Sequence, residues 1–227
     1  MNTNYLVWNE KVVIDFSEKN IAALYDQGYV FTRKGKGVMH QTRSVRINLT
    51  KFSLSSENRR ILKKAEHLGL IAITLPLGET DYDYTLGKFA KDFYEHKFGA
   101  GIMSAVKVKE MLTDSVKSNF NTMLRYTDIP SKNIIGHSIC YMNTDILHYS
   151  YPFYDLDAPK HTGLGMMTLA IEFAKEKGLK YVYLGSLQRP ADTYKLQFEG
   201  LEWFDEKVWS TDYGKVKKIL ASDKIPE

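Results

Sequence analysis

The sequence predicts an α/β (α+β) protein, a mixed sheet flanked by helices with a smaller basic domain ahead of it, and three observations carry that reading. Residues 160–185 run from a glycine-containing turn through an amphipathic helix into a buried strand. Met167, Ala170, Ile171 and Ala174 recur at i, i+3, i+4 and i+7, Gly178 stops the helix, and Tyr181-Val182-Tyr183-Leu184-Gly185 is a short apolar run. Just upstream, residues 134–142 and 147–154 are two extended runs joined by Asn143-Thr144-Asp145, which reads as a hairpin. The third observation is charge. Arg33, Lys34, Lys36, Arg43, Arg46, Lys51, Arg59, Arg60, Lys63 and Lys64 face the single acid Glu57, so residues 33–64 carry +9 of a net +4.

The chain of 227 residues, 44% hydrophobic and 26% charged, is long enough for a sizeable core. Cys140 is the only cysteine, which excludes an intrachain disulfide and a cysteine-based metal site and fits a cytoplasmic setting. Within the apolar residues 138–142 it reads as a small buried hydrophobe. No apolar run reaches the roughly 18 residues of a membrane span, so no membrane insertion is expected.

In chain order, residues 5–16 predict a strand. Ser17 caps a helix that ends near Gly28, and residues 29–33 form a second strand. Lys34-Gly35-Lys36-Gly37 is a turn, and residues 38–52 read as one extended run. Ser55 or Ser56 caps a helix through His67 that carries Arg59, Arg60, Lys63 and Lys64. Residues 70–76 suggest an edge strand, and residues 78–84 are the boundary between domains 1–83 and 84–227. Asp81 and Asp83 lack the glycine and glutamate of a calcium loop. Residues 85–97 predict a helix, residues 107–126 contain another, Asp192 can cap a short helix through Phe198, residues 207–209 a last strand and residues 215–220 a last helix.

A glycine turn that opens a helix leaves backbone N–H groups free to hold an anionic or carbonyl-bearing ligand. Lys160, Gly163 and Gly165 approximate the R/Q-x-x-G-x-G/A pattern of the GCN5-related N-acetyltransferase (GNAT) superfamily, with Lys160 where Arg or Gln is usual. Leu164-Gly165, then Tyr-x-Tyr-Leu-Gly at residues 181–185, then Tyr194-Lys195-x-x-Phe198 resemble, in this order, the C-terminal domain of the arginyl-tRNA–protein transferases, a GNAT branch. Ser44-x-Arg46, Phe52, Ser55 and the basic residues 59–64 are similar to the N-terminal region of that family. The family's paired-cysteine motif has no counterpart here.

The resemblance implies a GNAT-like domain that moves an amino acid, arginine before leucine, from tRNA to an amine such as a protein or peptide N-terminus. It implies tRNA as donor substrate, with acetyl-CoA taking the donor's place if the chain is an ordinary acetyltransferase; because Cys140 stands alone where the family has paired cysteines, no other cofactor and no metal is expected. A non-catalytic RNA-binding protein on this fold is the third reading. The donor is expected over Lys160, Gly163 and Gly165, beside Tyr183, Gly185 and Tyr154, the tyrosines offering a stacking surface for the terminal adenine. Lys195, beside Tyr194, is expected to touch phosphate or acceptor, and Asp155, with Asp157 and His161, is the nearest base. Arg33, Arg43, Arg46, Arg59, Arg60, Lys63 and Lys64 are expected to hold the tRNA backbone. Gly165→Val is expected to block the donor and leave the fold intact.

Overall fold

Ser17, Ser55, Asp83 and Ser104 each stand one residue ahead of a helix, and their side chains satisfy its first free N–H groups. In the computed structural model, which describes residues 5–78 and 80–222, they accept from Asn20, Asn58, Thr85 and Lys107. The helices so begun are α1 (Glu18–Asp26), α2 (Ser56–Lys64), α3 (Tyr84–Phe98) and α4 (Ala105–Thr113). At Ser55 the cap is reciprocal, since the Asn58 side chain accepts from the Ser55 N–H. Two further helices follow, α5 (Thr162–Glu176) and α6 (Tyr213–Ser222).

β1 (Asn9–Val12), β2 (Tyr29–Phe31) and β3 (Val38–Gln41) form a small antiparallel sheet in the order β1-β3-β2. The large sheet takes β4 (Ser44–Asn48), β5 (Leu68–Thr74), β6 (Thr122–Asp128), β7 (Ile134–Met142), β8 (Ile146–Tyr154), β9 (Tyr181–Ser186), β10 (Leu201–Asp205) and β11 (Val208–Ser210). Its order is β11-β10-β4-β9-β8-β7-β6-β5, antiparallel throughout except between β8 and β9. That parallel pair needs a crossover, and α5 supplies it. One face of the sheet packs on α5 around Met167, Ala170 and Ile171, and the other packs residues of α1, α3 and α4 around Tyr25, Phe93 and Val108. The protein is therefore the mixed sheet flanked by helices that the sequence predicts.

Three features depart from the sequence reading. Residues 38–52 are two strands in two sheets. The chain turns at Thr42 and Arg43, where the Ser44 N–H reaches the Thr42 carbonyl at 2.6 Å and the Ser44 hydroxyl donates to the Gly28 carbonyl. β4 then lies between β9 and β10 and β5 closes the far edge, so strands from both sides of residue 83 share one sheet. Finally, β6 and β10 are interior strands that local sequence did not reveal, because each owes its position to partners on both sides.

Candidate active site

The β8–β9 ladder stops at His148 opposite Tyr183. Ile139 pairs with Tyr151 and Cys140 with Tyr149, which leaves Ser150 as an extra residue in β8, a bulge two residues after the last parallel pair. The bulge falls one residue before Tyr151-Pro152. β9 continues to Gly185, whose φ is +74° and whose Cβ, if it had one, would meet nothing within 4 Å. Glycine suits that left-handed backbone, and its bare Cα leaves room beside the strand. Past that last parallel pair β8 and β9 are not hydrogen-bonded to each other, and the gap between them, with a bulge on one strand and an open glycine on the other, is a cleft.

The helix reached from β8 begins earlier than expected. α5 starts at Thr162, so Gly163 and Gly165 lie in its first turn and not in a preceding loop. Its N-cap is His161, a non-glycine residue at φ 76° whose side chain makes no cap hydrogen bond, unlike Ser17, Ser55, Asp83 and Ser104. Among the described residues the N–H groups of Gly163 and Leu164 have no backbone acceptor, so a partly positive helix end faces outward. The two glycines have steric roles. A Cβ at Gly163 would come within 2.7 Å of the Tyr154 ring, so the glycine lets Tyr154 lie against the helix end. A Cβ at Gly165 would be 2.8 Å from the Ala65 Cβ, so this glycine seats α5 on the end of α2. The expectation that Gly165→Val spares the fold is corrected on that contact.

Lys160 and His161 are exposed beside that helix end, and with Lys64 and His67 they line a shallow depression between α2 and α5. Arg59, Arg60, Lys63 and Lys64 are all exposed on α2. Two other members of the basic set are buried. Arg46 donates from Nε to Glu202 at 2.8 Å and from Nη1 to Asp26 at 2.7 Å, with its guanidinium 3.9 Å from the Trp209 ring centre and 4.2 Å from that of Tyr181. Arg43, 7% exposed, donates to the Leu187 carbonyl. Neither presents its charge to a phosphate, because each is consumed inside the sheet. Arg33 is half-buried against the Met103 sulfur and lies 5.8 Å from the Tyr151 ring centre, close to the bulge.

Of the expected chemistry-bearing residues, Tyr154 and Gly185 border the cleft, and Tyr194, 45% exposed, follows it in the 3-10 segment Pro190–Gln197. Tyr183 does not offer a stacking face. It is 1% exposed, edge-on to Tyr25 and Trp209, with Arg46 Nη1 3.4 Å from its hydroxyl. Lys195 is buried and its Nζ donates to the Ser186 carbonyl at 2.9 Å; burial, with Arg189 nearby, lowers its pKa. It braces the end of β9 and cannot reach a phosphate from there. Asp155 is an exposed turn residue whose Oδ1 accepts from the Asp157 N–H. Cys140 is fully buried, its thiol pushed up to about 12 by burial.

Sequence reasoning missed His148. It is buried at the last parallel pair, with Nδ1 2.9 Å from the Tyr25 hydroxyl. A lone histidine in an apolar strand gives no local signal, and its partner is 123 residues away. Among the described residues no group of three or more His, Cys, Asp or Glu is placed to hold a metal ion, and no helix is long and apolar enough to cross a membrane.

Comparison with known proteins adds to this geometry. The family described as "Arginine-tRNA-protein transferase, C terminus" matches residues 88–205. The chain is 28% identical over 222 residues to the aspartate/glutamate leucyltransferase of Ruegeria pomeroyi, covering 90% of this chain and 78% of that protein. It is 27% identical over 213 residues to the enzyme of the same name from Dinoroseobacter shibae, covering 86% and 73%. Among solved structures, that of L-PGS from Bacillus licheniformis is similar at 13% identity, over 92% of this chain and 71% of that one, with a TM-score of 0.47.

Proposed function

This chain belongs to the arginine-tRNA-protein transferase family, and from that premise we propose that it moves leucine from tRNA to the α-amine of a protein or peptide. The observation that carries the reading is one constellation: a cleft where β8 and β9 part, an uncapped helix end beside it, and an exposed basic helix packed on that same helix. The aminoacyl ester and terminal adenosine lie at the cleft, against Tyr154 and Gly185. Phosphates of the acceptor stem run toward Lys160, Lys64, Lys63, Arg60 and Arg59, where each neutralised phosphate releases counterions. Leucine is preferred over arginine because the relatives named above are leucyltransferases, and their name points to aspartate or glutamate as acceptor.

The chemistry asks little of a base. The acceptor nitrogen attacks the ester carbonyl carbon, a C–N bond forms, the bond to the ribose oxygen breaks, and the proton lost by nitrogen ends on that oxygen. A peptide α-amine has a pKa near 7.7–8, so a useful fraction is neutral at the start. Holding ester and amine together can supply roughly 7–11 kcal/mol in favourable intramolecular models. Burial of Lys195 and the turn role of Asp155 are consistent with a reaction driven by placement.

The test is incubation with a panel of radiolabelled aminoacyl-tRNAs and peptides of different first residue, with acetyl-CoA in parallel. Leucine transfer to peptides that begin with aspartate or glutamate is the expected result. Transfer of arginine alone would overturn the choice of donor, and acetylation without aminoacyl transfer would overturn the reading.

A further inference from the structure

We infer that His148 is a catalytic hydrogen-bond donor of this site, its Nε2–H directed at the ester carbonyl oxygen of the donor, with Tyr25 as the positioning residue that fixes its tautomer. The inference rests on the proposed transfer and goes beyond it by naming the group that meets the developing charge.

The geometry comes from three strands and a helix. His148 occupies the last rung of the parallel pair, two residues before the bulge at Ser150, so its backbone is held by both β7 and β9. The Phe31 N–H points at the Tyr25 oxygen at 3.4 Å, which makes that oxygen an acceptor and leaves its own proton to be donated. The available acceptor is His148 Nδ1 at 2.9 Å. With Nδ1 accepting, the neutral ring carries its proton on Nε2. Tyr25 is itself immobilised, stacked on Tyr141 and edge-on to Phe31 and Tyr183. Nε2 has no hydrogen-bond partner among the described residues.

Electrostatics keep the ring neutral. Burial first, and then the Lys195 ammonium anchored on Ser186 where β9 leaves β8, together hold the His148 pKa down at about 3. A neutral imidazole with such a pKa is a poor base but a fixed N–H donor. Aimed at the carbonyl oxygen as it gains charge, such a donor needs no reorganisation at the moment of reaction. When the tetrahedral adduct collapses, the proton remains on Nε2, and the amine proton still goes to the ribose oxygen.

The test joins kinetics with nitrogen-15 spectra of the imidazole. His148→Phe should lower kcat roughly 100-fold or more while KM for aminoacyl-tRNA changes little, as for loss of one oxyanion donor. His148→Gln, whose side-chain amide keeps an N–H, should recover part of that loss. In the wild type, spectra should show Nδ1 bare and Nε2 protonated, and an amide-linked 3′-leucylamino-adenosine should shift the Nε2 signal. In Tyr25→Phe the tautomers should mix. A folded His148→Phe with kcat within threefold of wild type, or a wild-type ring protonated on Nδ1, overturns the inference. Should His148→Phe not fold, the spectra and His148→Gln decide it. Absence of any aminoacyl transfer by the wild type would instead sink the proposed function, and the spectra would still report whether Nε2 meets the adenosine analogue.

Discussion

Within residues 33–64, β4 with the turn that leads into it and α2 put the same kind of charge to opposite uses. Arg43 and Arg46 turn inward, Arg46 into a cage of Glu202, Asp26, Tyr181 and Trp209. Arg59, Arg60, Lys63 and Lys64 stay in water on a helix whose apolar side, Ile61 and Ala65, is buried. The difference is set by the element's place in the fold. β4 is an interior strand with neighbours on both edges, so its long side chains meet protein, whereas α2 lies on the outside of α5. A charge held inside joins the stability of the sheet, and a charge left outside remains free to attract a polyanion.

Breaking the inner arrangement should have the largest effect. Arg46→Met leaves the buried Glu202 with only the longer contact to the exposed Lys51, at 3.4 Å, and should cost about 3 kcal/mol, lowering the melting temperature on the order of 10 °C in a calorimetric scan. The salt dependence of tRNA binding by the folded fraction should not change. A reduced slope would mean that Arg46 reaches phosphate.

The buried histidines extend the contrast to pH. His137 and His148 are held at about 3 by burial, each with a nearby cation, Arg125 and Lys195 respectively. Their folded pKa lies below the unfolded value near 6.5, so the unfolded chain takes up protons first. Their contribution is complete above pH 6.5 and is lost as pH falls toward 3, at about 1.4 kcal/mol per pH unit for each ring. Denaturant titrations between pH 7 and 4 should show that slope, and His137→Leu should flatten it.

Gly165→Val probes the seam between the two regions. The added side chain meets Ala65 and should cost about 1–3 kcal/mol by overpacking, and Ala65→Gly should recover part of it in the double variant. Equal midpoints for Gly165→Val and wild type would show that α5 does not need this close approach. On the outer surface the stability change is smallest. Arg59→Glu with Arg60→Glu should leave unfolding within about 0.5 kcal/mol while the slope of log affinity for tRNA against log salt falls by about 0.9 per lost contact. An unchanged slope would separate α2 from the tRNA.

What the sequence determined by itself is local. The Ser17 and Ser55 caps, the apolar stripe of α5, the hairpin of β7 and β8 and the apolar run of β9 are each set by neighbours a few residues away, so their spacing was enough to predict them. The charge imbalance, the lone Cys140 and the ordered matches to the family were likewise legible without coordinates. Contacts between distant segments were decided only by the tertiary structure. Whether Arg46 faces a phosphate or Glu202 depends on a partner 156 residues away, and Gly165 is small because Ala65 approaches it from another helix. Lys195 became a brace for β9, and His148 acquired its tautomer from Tyr25, for the same reason: burial and the partner's identity fix a side chain's charge and direction, and neither is written in the residues beside it.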